Sequence, residues 1–207
     1  MKIALICYHK NTGQYPKEWI DAFRESIHNQ SHKDFDIFDM DYGGGKERIF
    51  QSAFHSKEFL TFAHAMNYLI DFCFESGYDY VLNTNCDDLY NLNRIEKQYT
   101  YMQLGYDVIS SNFSLISDDK IVHTHYFDKL DVKAELYKNH NIICHPVVAI
   151  SKKFWENNRY IPEEIPFEDL KLWQRSLKSG HKFIILPETL CYHRLHNNSV
   201  GHKKGEI

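Results

Sequence analysis

The sequence has little of what nucleic-acid binding, a disulfide framework or a membrane span would need. Its 28 acidic residues exceed its 24 basic residues, so the net charge is −4, whereas a nucleic-acid-binding domain normally carries a basic face. The five cysteines are scattered and form no Cys-x-x-Cys pair, which disfavours disulfides and zinc and favours a reducing compartment. No apolar run is long enough to cross a bilayer, and the apolar start is too short for a signal peptide. We therefore expect a soluble, cytoplasmic protein with no transmembrane segment and no nucleic-acid partner.

The sequence also lacks the glycine signatures of common nucleotide-binding loops. The run Gly43-Gly44-Gly45, followed by Lys46 and Arg48, could contact phosphate. Its spacing matches neither the Gly-x-Gly-x-x-Gly nor the Walker pattern, so a flexible loop is the simpler interpretation. An apolar content of 43% over 207 residues suits one well-packed domain, and we predict a single domain over 1–207.

Hydrophobic periodicity predicts alternating strands and helices in the first half of the chain. Apolar runs predict strands at 3–7, 37–41, 80–82 and 107–111. Apolar residues at helical spacing predict helices over 16–27, 58–74 and 91–104. The order βαβαβαβ implies a parallel sheet with right-handed crossovers.

The second half is less regular. Strands are predicted at 121–123, 145–150, 182–186 and 189–192, and a helix is predicted from 170 to 180. The polar stretch 126–141 receives no assignment, and the tail 202–207 is expected to be loose or to continue into further domains. The predicted fold class is α/β, with a mostly parallel sheet flanked by helices. Residues 112–207 would form a smaller, mixed part of the domain.

Three groups of acidic residues, which we call acidic stations, could form a catalytic or metal-binding site. Asp41 follows the second predicted strand, Asp87 and Asp88 follow the third, and Glu168 and Asp169 open a helix. The first two stations fall at the carboxyl edge of a parallel sheet, where ligands of open α/β sheets bind. Oxygen-only ligands favour Mg²⁺ or Mn²⁺ over zinc. The alternative interpretations are a capping turn after the strand and carboxylates that complement a helix dipole.

Histidines supply a second set of candidate ligands. The chain has 13 of them, and both His123-x-His125 and His193-x-x-His196 could clamp a metal ion. Most histidines are solvated or satisfied within a core, so the first pair alone is weak evidence.

The order of these motifs resembles that of the family 2 glycosyltransferases, inverting enzymes with the GT-A fold, over nearly the whole chain. The family's Asp-x-Asp-Asp station is similar to Asn85-Cys86-Asp87-Asp88. Its most specific signature is the late series Glu-Asp, Leu-Trp-x-Arg, Gly-x-Lys-Phe, Leu-Pro-Glu and Tyr-Arg-x-His. The other matching segments are Asp41-Tyr42-Gly43-Gly44, His64-Ala65-Met66-Asn67, Glu168-Asp169, Leu172-Trp173-Gln174-Arg175, Gly180-His181-Lys182-Phe183, Leu186-Pro187-Glu188 and His193-Arg194-Leu195-His196.

The resemblance implies a hexosyl- or deoxyhexosyltransferase that uses a nucleotide-sugar, a UDP-sugar by preference, and a glycan or other hydroxyl acceptor. It also implies that residues 1–111 form the nucleotide-sugar-binding half and residues 112–207 the half for the acceptor and the catalytic base. Asp41 would accept a hydrogen bond from the base, and Asp87 with Asp88 would hold Mn²⁺ or Mg²⁺ against the diphosphate. Asp169, beside Glu168, would be the general base that removes the acceptor proton. The remaining implied contacts are Tyr8, Asn67, Asn85 and Arg194 for the nucleotide-sugar, and His193 and His196 for the metal or the diphosphate.

One departure keeps two alternatives open. Asn85 stands where the family has the first acid of its station, so it contributes no charge and weakens the expected metal affinity. A non-catalytic nucleotide-sugar-binding module is therefore one alternative. A sugar-phosphate nucleotidyltransferase is the other, although it would normally carry a more glycine-rich and basic loop than 8–13.

Overall fold

A computed structural model describes residues 1–196 of the chain. Its strands are β1 Ile3–His9, β2 Asp36–Asp41, β3 Ala53–Ser56, β4 Tyr80–Thr84, β5 Leu89–Tyr90, β6 Val108–Ser117, β7 Lys120–His125, β8 Ala149–Ser151 and β9 Phe183–Arg194. Its α-helices are α1 Lys17–His28, α2 Phe62–Glu75, α3 Arg94–Gln103, α4 Val132–Tyr137, α5 Lys152–Trp155 and α6 Glu168–Ser176. Within this range, no helix combines the length and the apolar character that crossing a membrane requires.

All these strands join one sheet. Their order is β3-β2-β1-β4-β8-β6-β9-β5, and β7 pairs with the outer part of β6. Strands β3, β2, β1 and β4 run parallel to one another, and β6 runs parallel to β9. Strand β8 lies antiparallel between β4 and β6, so those two strands point the same way. The predicted α/β fold with a mostly parallel sheet is confirmed.

The sheet is buried on both faces, which explains the continuous apolar runs. Ala4 and Ile6 of β1 face a core that includes residues of α2, α5 and α6. Leu5 and Cys7 of the same strand face a second core that includes residues of α1 and α3. Parallel strands covered by helices on both faces read as unbroken apolar segments, because neither face is solvated.

Two short strands were not predicted, and one predicted strand is displaced. β3 and β5 have four and two residues, too few for a periodic pattern. The prediction of a strand over 145–150 was wrong at its start, because His145–Val147 forms a 3-10 turn around Pro146 and β8 begins at Ala149. Proline has no backbone N–H, and this disfavours it in an interior strand.

Other element limits also differ from the prediction. α2 begins at Phe62 and not at residue 58, because Thr61 caps it by accepting a hydrogen bond from the His64 N–H. The two strands predicted at 182–186 and 189–192 are one strand, β9, which passes Pro187 where its register with β6 shifts. The unassigned stretch contains α4, capped by Asp131. The predicted loose tail lies outside the described residues.

Asp39 anchors the segment that follows β2. One carboxylate oxygen accepts from the backbone N–H groups of Ile49 and Phe50 at 2.6 and 2.9 Å. The other oxygen lies 3.1 Å from Nε2 of His9. Asp39 is fully buried, so these contacts, and not solvent, satisfy its charge. This anchor holds the glycine-rich loop beside the carboxyl edge of the sheet.

Replacing Asp39 with alanine should therefore destabilise the fold. The substitution leaves the buried N–H groups of Ile49 and Phe50 without an acceptor, and we expect a loss of about 3 kcal/mol in the free energy of unfolding. Urea denaturation followed by circular dichroism measures this. Asp34→Ala, at an exposed position of the preceding turn, is the matched control and should change stability by less than about 0.5 kcal/mol. Equal stability of the two variants would contradict the anchoring role.

Candidate active site

The carboxyl ends of β1, β2 and β4 meet at one edge of the sheet. In the parallel register, His9 pairs with Asp41 and Cys7 pairs with Thr84. Side chains just before or after these strand ends therefore lie near one another, as the sequence predicted for the first two acidic stations. We call this region the donor edge: Tyr8, Asp41, Asn85, Asp87 and the loop 43–45.

The glycine-rich loop folds over Asp41. The Asp41 carboxylate is 4% exposed and accepts a hydrogen bond of 2.9 Å from the Gly43 N–H. A Cβ atom at residue 45 would clash with Oδ2 of Asp41, so any other residue there would require the buried carboxylate to shift. Gly44 has a φ of +75°, which glycine adopts without strain. The triple glycine thus serves close packing around a carboxylate.

Asn85 is positioned by a strand that the sequence did not reveal. Its side-chain oxygen accepts from the Tyr8 hydroxyl at 3.3 Å, and its backbone N–H donates to Oη of Tyr90 at 2.8 Å. Tyr90 lies in β5, and its hydroxyl donates to the Pro146 carbonyl at 3.1 Å. The amide at this position therefore makes a neutral contact across the donor edge.

Two histidines of the β9 end face the adjacent carboxylates. Nδ1 of His193 lies 3.0 and 3.2 Å from the two oxygens of Asp88, and the Arg194 N–H donates to Oδ1 of Asp88 at 2.9 Å. Nε2 of His196 lies 2.8 Å from Oδ2 of Asp87. The structure therefore brings all four predicted metal ligands together, but as two separate pairs.

The charges of the first pair depend on each other. Burial raises the pKa of Asp88, against the charge of His193. Burial lowers the pKa of His193, but the charge and hydrogen bond of Asp88 outweigh it and raise the pKa to about 9. His193 is therefore an imidazolium at neutral pH, and it neutralises a carboxylate that is fully buried.

Asp87 and His196 fit a divalent cation better than Asp88 and His193 do. Asp87 is 14% exposed, whereas Asp88 is fully buried with its oxygens directed at β9. In residues 1–196, no three His, Cys, Asp or Glu side chains form a ligand cluster. Mg²⁺ and Mn²⁺ commonly take one or two protein groups and complete their shell with phosphate oxygens and water, so a site based on Asp87 is chemically reasonable.

The side chain of Arg194 makes its contacts inside the protein. Its side chain is buried, its Nε donates to the Asp87 carbonyl at 3.0 Å, and one terminal nitrogen lies 2.5 Å from Oδ1 of Asp119. Its guanidinium also stacks on Trp19 at 4.5 Å from the ring centroid. These contacts hold the Asp87 backbone in place. The predicted contact between Arg194 and the nucleotide-sugar stays a prediction.

The third acidic station lies in the first turn of α6. Asp169 is half-buried, and its Oδ2 accepts from Nδ2 of Asn141 at 2.9 Å. Its Oδ1 accepts from the Leu170 N–H at 2.7 Å. Glu168 is 7% exposed. Asn141 was not singled out from the sequence, because it lies in the polar stretch without a pattern.

Tyr8 connects the donor edge with the side of the sheet that α6 covers. Its hydroxyl donates to the Asn85 side chain at 3.3 Å, and its ring packs against the core cluster that includes Leu170 of α6. Burial raises the pKa of the Tyr8 hydroxyl, and the charges of Glu168 and Asp87 raise it further. The donor edge and the start of α6 thus adjoin at Tyr8.

A polar network that was not predicted from the sequence lies at the end of β4. Nε2 of His145 lies 2.9 Å from the Tyr160 hydroxyl, and Nδ2 of Asn83 donates to the His145 carbonyl at 2.9 Å. Burial lowers the pKa of His145, against the raising effect of the Asp169 charge, so the imidazole is neutral at pH 7. Asn67, predicted to contact the nucleotide, bonds both the N–H and the carbonyl of Tyr160 at 3.1 and 2.8 Å. The Tyr160 backbone thus pairs with both the nitrogen and the oxygen of the Asn67 side-chain amide.

The other histidine pair lies apart from the carboxylates. His123 and His125 belong to β7, with ring centroids 4.5 Å apart. No carboxylate joins them in a metal-binding group within the described part of the chain.

Replacing Asp88 with asparagine should lower the pKa of His193 from about 9 to below 6.5, because burial then dominates. The histidine Hε1 resonances in an NMR pH titration measure this, and His193→Gln assigns the signal. A His193 pKa that stays near 9 in Asp88→Asn would show that another charge sets it.

Sequence comparison finds a curated relative, although no family model matches the chain. The chain is 25% identical to the O-antigen biosynthesis glycosyltransferase WbnJ of Escherichia coli, over 88% of this chain and 77% of the relative.

Two solved structures share the fold at 12% identity. A fragment of S. aureus TarS in complex with UDP matches 94% of this chain with a TM-score of 0.70. The mannosyltransferase PcManGT from Pyrobaculum calidifontis, in complex with GDP-Man and Mn²⁺, matches 98% with a TM-score of 0.68. The chain spans 61% of the TarS fragment and 59% of the mannosyltransferase chain. The curated similarity and the shared GT-A-like fold together support a glycosyltransferase.

Proposed function

We propose that the protein is an inverting glycosyltransferase of family 2 that transfers a sugar from a UDP-sugar to a hydroxyl of a glycan. The observation that carries this proposal is the position of Tyr8, whose hydroxyl donates to Asn85 at the donor edge and whose ring packs against the core cluster that includes Leu170, next to Asp169 in α6. A donor diphosphate at Asp87 and an acceptor hydroxyl at Asp169 would then lie on opposite sides of one sugar ring. That arrangement leads to inversion at the anomeric carbon.

The donor end follows from the residues of the donor edge. The Asp41 carboxylate would accept a hydrogen bond from the base, which requires the loop 43–45 to make room. Asn85 and Tyr8 would contact the nucleotide through their amide and hydroxyl groups. The neighbouring solved proteins were bound to UDP in one case and to GDP-Man in the other, which supports a nucleotide-sugar donor.

Asp87 with His196 would hold a divalent cation at the diphosphate. The fold neighbour in complex with Mn²⁺ supports this choice of ion. When bound, Mn²⁺ or Mg²⁺ would supply positive charge that stabilises the departing nucleoside diphosphate. Asp88 and His193 would not bind the ion but would hold the Asp87 backbone through β9 and Arg194.

The acceptor end centres on Asp169. This carboxylate would take the proton of the acceptor hydroxyl while that oxygen forms a bond to the anomeric carbon and the bond to the diphosphate breaks. Asn141, 2.9 Å from Oδ2, fixes the direction of the carboxylate. Glu168 lies buried beside it in the first turn of α6.

A non-catalytic nucleotide-sugar-binding module is the second candidate, because Asn85 replaces an acid of the family pattern. It would bind donor without releasing UDP. The nucleotidyltransferase alternative would instead release pyrophosphate from a nucleoside triphosphate and a sugar phosphate.

Replacing Asp169 with asparagine should abolish transfer while preserving donor binding. The amide is nearly isosteric but cannot accept the proton, so we expect UDP release from a panel of UDP-sugars to fall at least about 100-fold. Calorimetry with the same donors should give an unchanged dissociation constant. The matched control is Glu163→Gln, an exposed carboxylate in the preceding loop, which should keep full activity. Full turnover in Asp169→Asn would refute the assignment of the base, and absence of UDP release in the wild type would favour the binding module.

A further inference from the structure

Five aromatic and imidazole rings form a continuous row along the β6–β7 hairpin and the following loop. We call it the ring row: His123, His125, Phe113, Phe127 and His140. The His125 ring lies 4.5 Å from His123, 4.6 Å from Phe113 and 5.4 Å from Phe127, centroid to centroid. Phe127 in turn lies 5.7 Å from His140. The rings therefore contact one another in sequence and do not stand as isolated surface residues.

The ring row is open to solvent along part of its length. His123 and His140 are exposed, and His125 and Phe127 are half-buried. Of the two phenylalanines, Phe113 packs against a core cluster and Phe127 does not, and the ring neighbours of Phe127 are Phe113, His125 and His140. A row of rings that adds little to either core and faces water is typical of a binding surface.

One end of the ring row adjoins the candidate base. His140 directly precedes Asn141, whose side chain donates to Asp169. The other end is in register with His193, because Leu115 of β6 pairs with His123 on one side and with His193 on the other. Cross-strand partners point to the same face of a sheet, so His123 and His193 share a face.

The chemistry of the ring row suits an uncharged, polyhydroxylated ligand. Pyranose rings present apolar C–H faces that stack on aromatic rings and hydroxyls that exchange hydrogen bonds with imidazole nitrogens. Burial, and then the charges of His123 and His140, lower the pKa of His125, so its ring is neutral at pH 7 and can both donate and accept. Glu135 accepts from His140 and from Lys138, both at 2.7 Å, so the charge at this end is already paired.

We propose that the ring row is the acceptor subsite and binds a saccharide, which stacks on His125 and Phe127 and reaches Asp169 past His140. This inference rests on the proposed function, because it names the ligand that Asp169 would deprotonate. It assigns acceptor selection to residues 113–140, outside the donor edge.

The test compares Phe127→Ala, His140→Ala and His125→Phe with the wild type on an array of mono- to tetrasaccharides. Loss of one stacking ring should weaken saccharide binding by about tenfold in Phe127→Ala. His140→Ala, at an exposed position, should also weaken binding without lowering the melting temperature. His125→Phe keeps a stacking ring but loses the imidazole hydrogen bonds, so it should weaken binding less than Phe127→Ala does. Tyr101→Ala is the control, because it removes a half-buried ring that contacts Tyr106, just before the opposite end of β6.

Several outcomes would overturn the proposal. They are wild-type saccharide affinity in both Phe127→Ala and His140→Ala, no saccharide bound by the wild type, or an equal loss in Tyr101→Ala. A loss of binding confined to variants with a lower melting temperature would assign the row to packing and also overturn it. Failure of the proposed function is distinguished by donor assays. Saccharide binding through the row without UDP release from any UDP-sugar would refute the transferase and leave the subsite in place.

Discussion

The site depends on how the charges of two adjacent carboxylates at the end of a buried strand are balanced. Asp88 is fully buried, and without a counter-charge its ionisation would be unfavourable in so low a dielectric. His193 supplies that charge at 3.0 Å, and His196 pairs with Asp87 at 2.8 Å. Both histidines come from the end of β9, more than 100 residues along the chain. The site can therefore form only when β9 pairs with β6 in the sheet.

The same pairing gives the neighbouring carboxylates different environments. Asp88 faces β9 and is satisfied by protein donors, whereas Asp87 keeps partial contact with solvent. Arg194 connects the two, because its backbone N–H reaches Asp88 and its Nε reaches the Asp87 carbonyl. In the proposed mechanism, Asp87 therefore binds the metal at the diphosphate, and Asp88 holds the Asp87 backbone in place.

The sequence predicted those elements whose pattern is local. β1 and β4 were found because strands buried on both faces are continuous apolar runs, and α1 was found by its periodicity. The short β5 and the partner Asn141 were missed, because β5 depends on pairing with the distant β9 and the role of Asn141 depends on its contact with Asp169. For the same reason, sequence alone placed Asp87 and Asp88 together but could not assign them different environments.

The most direct test of the account is donor binding at the donor edge. A thermal-shift screen of UDP- and GDP-sugars, with Mn²⁺, with Mg²⁺ and with EDTA, reports the base, the sugar and the metal together. A UDP-sugar should raise the melting temperature of the wild type only with a divalent cation. Asp87→Asn should lose this shift, while Asp118→Asn, at an exposed turn, should keep it. A shift that persists in EDTA would contradict the metal site, and no shift with any nucleotide-sugar would contradict the donor edge itself.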